Sequence, residues 1–191
     1  AGATLGNNPR RDRSGDDDGD FGYEWKDQDE DGVDFEWVDI TELVDPFTRD
    51  MEENPVADDW NSGLLDLGWS FNFYGEEYDQ ININSNGYIR FEESDYIYAI
   101  FAYPIPDEGD PNGYIAPFGT DLDITSEEFG EDENPGIYFY SDADEGYAVV
   151  TWQDLPEWDS DGETPHNPQT FQVVLWRDGD ICSAQFNYAD E

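Results

Sequence analysis

The chain has 191 residues and sets 49 Asp and Glu against 7 Lys and Arg, for a formal net charge of -42. That balance excludes nucleic acid as a partner, because phosphate binding needs clustered cations, and it excludes anionic membrane surfaces for the same reason. No long apolar run is present, so no helical membrane insertion is expected, and the one cysteine, Cys182, allows no internal disulfide.

Residues 1–20 are rich in Gly, Asn, Arg and Asp, the composition of a polar N-terminal arm or linker. The arm holds Arg10, Arg11 and Arg13, three of the seven cations. The chain begins at Ala1 without Met, as expected of a mature protein freed of its signal peptide or of a fragment. Residues 21–191 are of a size for one domain.

Residues 21–44 read as two strands around an acidic turn, with Phe21, Tyr23 and Trp25 before it and Phe35, Trp37 and Val38 after it. The turn Asp27-Gln28-Asp29-Glu30-Asp31-Gly32 has the spacing of a calcium loop, with Asp27, Asp29, Asp31 and Asp34 as candidate ligands. Alternate carboxylates on a tight turn converge on one hard cation. The twelfth position is Val38 rather than Glu, so this is no EF-hand. A solvated acidic turn is the competing reading, since so acidic a chain produces such spacing by chance. Asp16–Asp18 with Asp20, Asp121 with Asp123, and Asp159 with Asp161 are weaker versions.

Asp58 to Gly63 reads as a loop leading into the stretch that organises the chain, residues 65–91. There Leu65, Leu67, Trp69, Phe71 and Phe73 alternate with Asp66, Gly68, Ser70 and Asn72, the period of a strand with one buried face. Tyr74-Gly75-Glu76-Glu77 supplies a turn. Ile81 and Ile83 resume the alternation, with Asn82 and Asn84 on the other face. A three-residue loop, Ser85 to Gly87, sets Ile83 opposite Ile89 and Ile81 opposite Phe91, and burial of one face selects that register. Gly87 then takes a left-handed position.

Residues 94–114 are irregular and broken by prolines. Strands follow at 136–141 and 147–153, with acidic loops at 126–135 and 154–168. In the last hairpin Asp178-Gly179 is read as a two-residue turn. It pairs Arg177 with Asp180, Leu175 with Cys182, Val173 with Ala184 and Phe171 with Phe186. Cys182 reads as a small buried hydrophobe. No segment has a helical period. The expected fold is all-β, a two-layer antiparallel β-sandwich of about ten short strands with long acidic loops.

The acids are interleaved with core residues along the whole chain. A surface so charged repels itself and destabilises the compact state in dilute buffer. Salt at about 1 M shortens the Debye length to roughly 3 Å and relieves this. The expectation is a protein of a high-salt environment, with divalent-cation loading as the rival explanation.

Catalysis finds little footing. His166 is the only histidine and lies in a polar loop between Pro165 and Asn167. No G-x-S-x-G, phosphate-binding or dinucleotide motif occurs, and the carboxylate pairs are too numerous to single out a glycosidase site. Trp158 is a candidate to stack on a glycan, although aromatics in a sandwich mostly fill the core.

Four blocks occur in order: GDFGYEWKDQDEDGVDFEWVDI at 19–40, LDLGWSFNFYGEEYDQININSNGYIRF at 65–91, PNGYIAPFGTDLD at 111–123 and FQVVLWRDGDICSAQFNY at 171–188. Together they resemble the NIDO-related, nidogen-like β-sandwich modules of large secreted and surface proteins of bacteria and archaea. The resemblance implies a non-catalytic extracellular module, often beside proteases or adhesive repeats, with no catalytic residue. The expected function is a structural or adhesive surface component of a halophile. A calcium- or glycan-binding module and an accessory domain of a secreted hydrolase are the alternatives. The expected partners are copies of itself or other surface proteins. The chain ends soon after a strand, so an open sheet edge is expected, and the N-terminal arm of a neighbour is expected to fill it and build a filament.

Overall fold

The computed structural model describes residues 35–48, 55–100, 113–125, 135–158 and 168–189, together with the backbone of 4–7 and 23–24. Among these residues there is no helix. Ten strands form: β1 (Thr4–Asn7), β2 (Tyr23–Glu24), β3 (Asn61–Phe73), β4 (Glu76–Asn84), β5 (Tyr88–Arg90), β6 (Tyr114–Ile115), β7 (Gly136–Asp142), β8 (Tyr147–Leu155), β9 (Gln169–Asp178) and β10 (Ile181–Tyr188). They make a six-stranded sheet ordered β2-β1-β10-β9-β8-β7 and a four-stranded sheet ordered β3-β4-β5-β6. All pairings are antiparallel. The fold is therefore an all-β sandwich.

The core lies between the sheets and is built by alternation. From the four-stranded sheet come Leu67, Trp69, Phe71, Phe73, Ile81, Ile83 and Ile89; from the other come Ile137, Val150, Trp152, Phe171, Val173 and Leu175. Burying a large apolar side chain stabilises by about 1.5–3 kcal/mol. Trp152 stacks on Phe171 with centroids 5.1 Å apart, and its Nε1 donates across the core to Asn84 O at 2.9 Å.

The expected β4–β5 register is observed: Ile83 faces Ile89 and Asn84 faces Tyr88 across the Ser85–Gly87 loop. Gly87 has φ +78°, and a Cβ there would stand 2.0 Å from Phe118 O. The glycine is required by conformation and by close approach together.

Three expectations are corrected. Strand β3 begins at Asn61, so Asn61 to Gly63 is strand rather than loop. It bulges between Asp66 and Phe71, where Gly68 takes φ +74°, and Leu65 is only half-buried.

The last hairpin turns at Gly179-Asp180 rather than Asp178-Gly179. Asp178 faces Ile181, Arg177 faces Cys182, Leu175 faces Ala184, Val173 faces Phe186 and Phe171 faces Tyr188. Gly179 has φ +61° and holds the first central position, where a II′-type turn places glycine. The slip is two residues, so every side chain keeps its face.

Residues 35–40 form no strand. They cross the outer face of the six-stranded sheet as a strap. Gln172 in β9 accepts from Val38 N at 3.0 Å through Oε1 and donates to Val38 O at 3.1 Å through Nε2. Asn187 in β10 donates to Glu36 O at 2.8 Å. Ile40 then packs with Tyr138, Val149 and Val174. The strap's backbone is satisfied by side chains instead of a ladder, and Phe35 stays 49% exposed.

Asn82 and Asn84 lie on the other face from Ile81 and Ile83, as expected, and are buried there as well, where residues 94–98 fold over the outer face of the four-stranded sheet. Asn61 Nδ2 donates to Ser94 O and Tyr96 O, Asn84 Nδ2 donates to Ile97 O, and Tyr88 OH donates to Tyr98 O.

Within residues 1–20, β1 forms a strand on the edge of β10, with Thr4 opposite Gln185, Leu5 opposite Ala184 and Gly6 opposite Ser183. In the single chain β1 thus pairs with its own sheet.

Candidate functional site

Asn86 sits at the tip of the β4–β5 turn and is completely buried. Its backbone N donates to Asn84 Oδ1 at 2.7 Å, an Asx-type closure that fits Asn to a turn. Its side chain joins two distant loops and the segment 94–98. Oδ1 accepts from Leu122 N at 2.8 Å, and Nδ2 donates to Asp59 Oδ1 at 2.9 Å and to Ile97 O at 3.1 Å. Beside it Ser85 Oγ donates to Asp58 O at 2.7 Å and accepts from Trp60 N at 2.9 Å. The turn therefore brings Asp58 and Asp59 to Asp121 and Asp123.

The second loop is fixed from the other side. Trp158 N donates to Asp121 O at 2.8 Å, and Asp123 N donates to Pro156 O at 3.0 Å. Asp123 Oδ1 accepts from Thr125 N and Oγ1 at 2.8 and 2.6 Å. Trp158, at the rim, is 48% exposed.

Burial and neighbouring charge raise the proton affinity of Asp58 and Asp121. Burial, then the charges of Asp123, Asp59 and Asp121, push Asp58 up to about 6. Asp121 is also raised, by burial first and then by Asp59 and Asp123. Asp58 Oδ1 is buried and accepts no hydrogen bond among the described residues. Among the same residues no three of His, Cys, Asp or Glu converge closely enough to share a metal ion. The cluster is a field of negative potential rather than a preformed cage.

A second concavity, of about 130 Å³, opens at the far end of the sandwich between β3–β4 and the β9–β10 turn. Ser70, Asn72, Glu77, Arg177, Asp180 and Cys182 are among its walls. Hydrogen bonds from Ser70 and Asn72, then the Arg177 charge, hold Glu77 below the usual carboxylate range. Arg177 also lies 5.8 Å from the Trp69 ring centre. Cys182 is buried, its Sγ accepts from Asn72 N at 3.1 Å, and burial pushes its thiol up. It behaves as the small core residue expected from sequence, not as a nucleophile.

Asp27, Asp29, Asp31 and Asp34 lie outside the described residues, as do Asp16–Asp18, Asp20, Asp159, Asp161 and His166. Of the acidic pairs read from sequence, Asp121 with Asp123 is the one the structure describes. Their companions Asp58 and Asp59 were read only as part of a loop. No local spacing announces them, because Asn86 makes the link.

A family model described as NIDO related matches residues 40–189. Alpha-tectorin of Gallus gallus is 29% identical over 161 residues, covering 76% of this chain and 7% of the tectorin. The chain thus spans less than a tenth of that relative's length. No solved structure matches it.

Proposed function

Because this chain belongs to the NIDO-related family, we propose that it is a non-catalytic extracellular structural or adhesive module that works in high salt. The observation that carries the first half is the family match, which spans the sandwich from Ile40 to the end of β10. The likeness to alpha-tectorin agrees with an extracellular, structural role. The way polar side chains are used agrees as well. Asn61, Asn84, Asn86, Gln172 and Asn187 bind the chain's own backbone, so they build the scaffold.

The high-salt half rests on charge. A net charge of -42 with Lys26 as the sole lysine needs screening, and the cluster around Asp58 shows like charges packed at close quarters. In this reading the module is a surface-assembly subunit, its partners are copies of itself or other surface proteins, and serial linkage through the N-terminal arm gives a filament. Labelling intact cells with a membrane-impermeant amine or carboxylate reagent tests the location: a protein tagged only after lysis refutes it. The unfolding midpoint should rise substantially from dilute buffer to molar KCl, and a midpoint indifferent to salt refutes the halophilic half.

A second reading has one observation in its favour. Exposed Trp158 stands beside Asp121 in the acidic cluster, an aromatic face next to carboxylates as sugar-binding surfaces have. Calcium at Asp27, Asp29, Asp31 and Asp34 belongs to the same reading. Glycan-array binding lost in Trp158→Ala tests the sugar, and an array without signal removes it.

A further inference from the structure

We propose that β1 is an exchangeable strand, so that the β10 edge of one molecule is filled by β1 of a second copy of this chain. The inference deepens the structural-module reading and rests on it.

The starting point is how β1 is held. It meets the rest of the sandwich through three register pairs, at Gln185, Ala184 and Ser183. On its other side β10 is paired with β9 at every position from Ile181 to Tyr188. Strand β10 is therefore a complete member of the sheet without β1, and removing β1 exposes a row of main-chain donors and acceptors. The groove does not depend on its occupant. Asn187 donates to Gln172 Oε1 and to Glu36 O, so the strap and β9 keep β10 in place whether or not β1 is present.

The bonds offered to β1 are ladder bonds, and these read backbone rather than side chains. They are the same bonds whichever molecule supplies the strand, which is the condition for swapping. Each ladder bond contributes on the order of 1 kcal/mol net. Three register pairs do not lock the strand in place. The choice between own and neighbouring β1 then falls to effective concentration, which for a tethered segment is of millimolar order. Dilute chains close on themselves, and chains packed in an array exchange.

Reach is sufficient. In the sheet β2 pairs with β1 alone, so it leaves with β1, and the donor is anchored at the strap, where Asn187 holds Glu36 and Gln172 holds Val38. The chain between Asn7 and Glu36 can reach on the order of 90 Å. A six-stranded sheet is about 29 Å across at roughly 4.8 Å per strand. A donor anchored at the strap can thus deliver β1 past its own edge. Arg10, Arg11 and Arg13 follow β1 directly in sequence, so donation carries three of the chain's seven cations to an acidic recipient. The bodies themselves repel, so exchange is promoted by salt.

The test uses the full chain in molar KCl. Thr4→Cys and Gln185→Cys are made separately, each with Cys182→Ala, and mixed near millimolar concentration under mild oxidation. A disulfide between the two different chains is expected, at least tenfold more abundant than at micromolar concentration. The double variant T4C/Q185C should give covalent oligomers besides the internally linked monomer. Sedimentation provides a second readout in the natural background. The mass of the natural chain should grow with concentration, whereas Leu5→Pro, which removes a main-chain donor from β1, should stay monomeric. The proposal is overturned if the double variant links only within monomers, if it does not link at all, or if the natural chain and L5P sediment alike. Those outcomes leave the extracellular reading untouched, since cell-surface labelling answers it separately.

Discussion

Replacing Asp58 with Asn should stabilise the protein at neutral pH. The Asp58 carboxyl is raised from 3.8 to about 6, chiefly by burial and then by Asp123, Asp59 and Asp121. An acid whose affinity for its proton is higher in the folded state makes folding easier at low pH and harder at high pH. The penalty is absent below about pH 4, grows between pH 4 and 6, and is complete above. Two pKa units correspond to about 3 kcal/mol before correction. Asp58 is partly exposed, and solvent screening reduces this to about 1 kcal/mol. The amide of D58N carries no charge and offers N–H donors to the surrounding carboxylates. In a chain of this size about 1 kcal/mol moves the midpoint by roughly 2–4 °C. Melting curves of D58N and the natural chain should therefore diverge at pH 7.5 and coincide at pH 4. Because burial leads the causes, about half of the gain should survive in molar KCl. A variant that is neutral or destabilised at pH 7.5, or equally stabilised at every pH, refutes the reasoning.

Gly87→Ala should cost at least about 3 kcal/mol, because its Cβ would strike Phe118 O from a left-handed backbone; a denaturation midpoint close to the natural one counts against that geometry. Gln172→Ala should cost about 2–4 kcal/mol by stranding Val38 N and Val38 O and removing one of the two bonds of Asn187 Nδ2, and should speed amide exchange at Val38. Unchanged exchange at Val38 would show that the strap is held by other means. Calcium added at constant high ionic strength should raise the midpoint more than magnesium does if Asp27, Asp29, Asp31 and Asp34 form a cation loop; equal effects, with Asp29→Asn silent, leave a solvated turn.

The β4–β5 hairpin was legible because one register alone buries Ile83 with Ile89, and Gly87 marks the loop. The β9–β10 hairpin was legible only in part. Alternation decides which face Leu175 and Ala184 occupy, but it cannot separate registers two residues apart, and the turn decides between them. The strap at 35–40 escaped because its backbone partners are Gln172 and Asn187, far along the chain and polar. The same blindness hid the site. Asp121 and Asp123 are visible as a pair, whereas their link to Asp58 and Asp59 runs through the amide of Asn86, which alternation counts as part of a turn.

Those amides point to a division of labour. The buried polar residues among those described are Asn82, Asn84, Ser85, Asn86, Thr151, Gln172, Ser183 and Asn187. None is a carboxylate, in a chain with 49 of them. An amide costs only its hydrogen bonds when buried, whereas an acid must also lose its charge or find a cation. With 7 Lys and Arg in all, paired burial of acids is closed to this sequence. Loops are therefore fastened from inside by Asn and Gln, and acids stay where salt can screen them. Asp58 departs from that rule: its Oδ1 is buried without a donor among the described residues, and its shifted titration is the physical consequence. A surface built this way is tolerant of molar salt, while its fastening does not depend on ion pairs that salt would weaken.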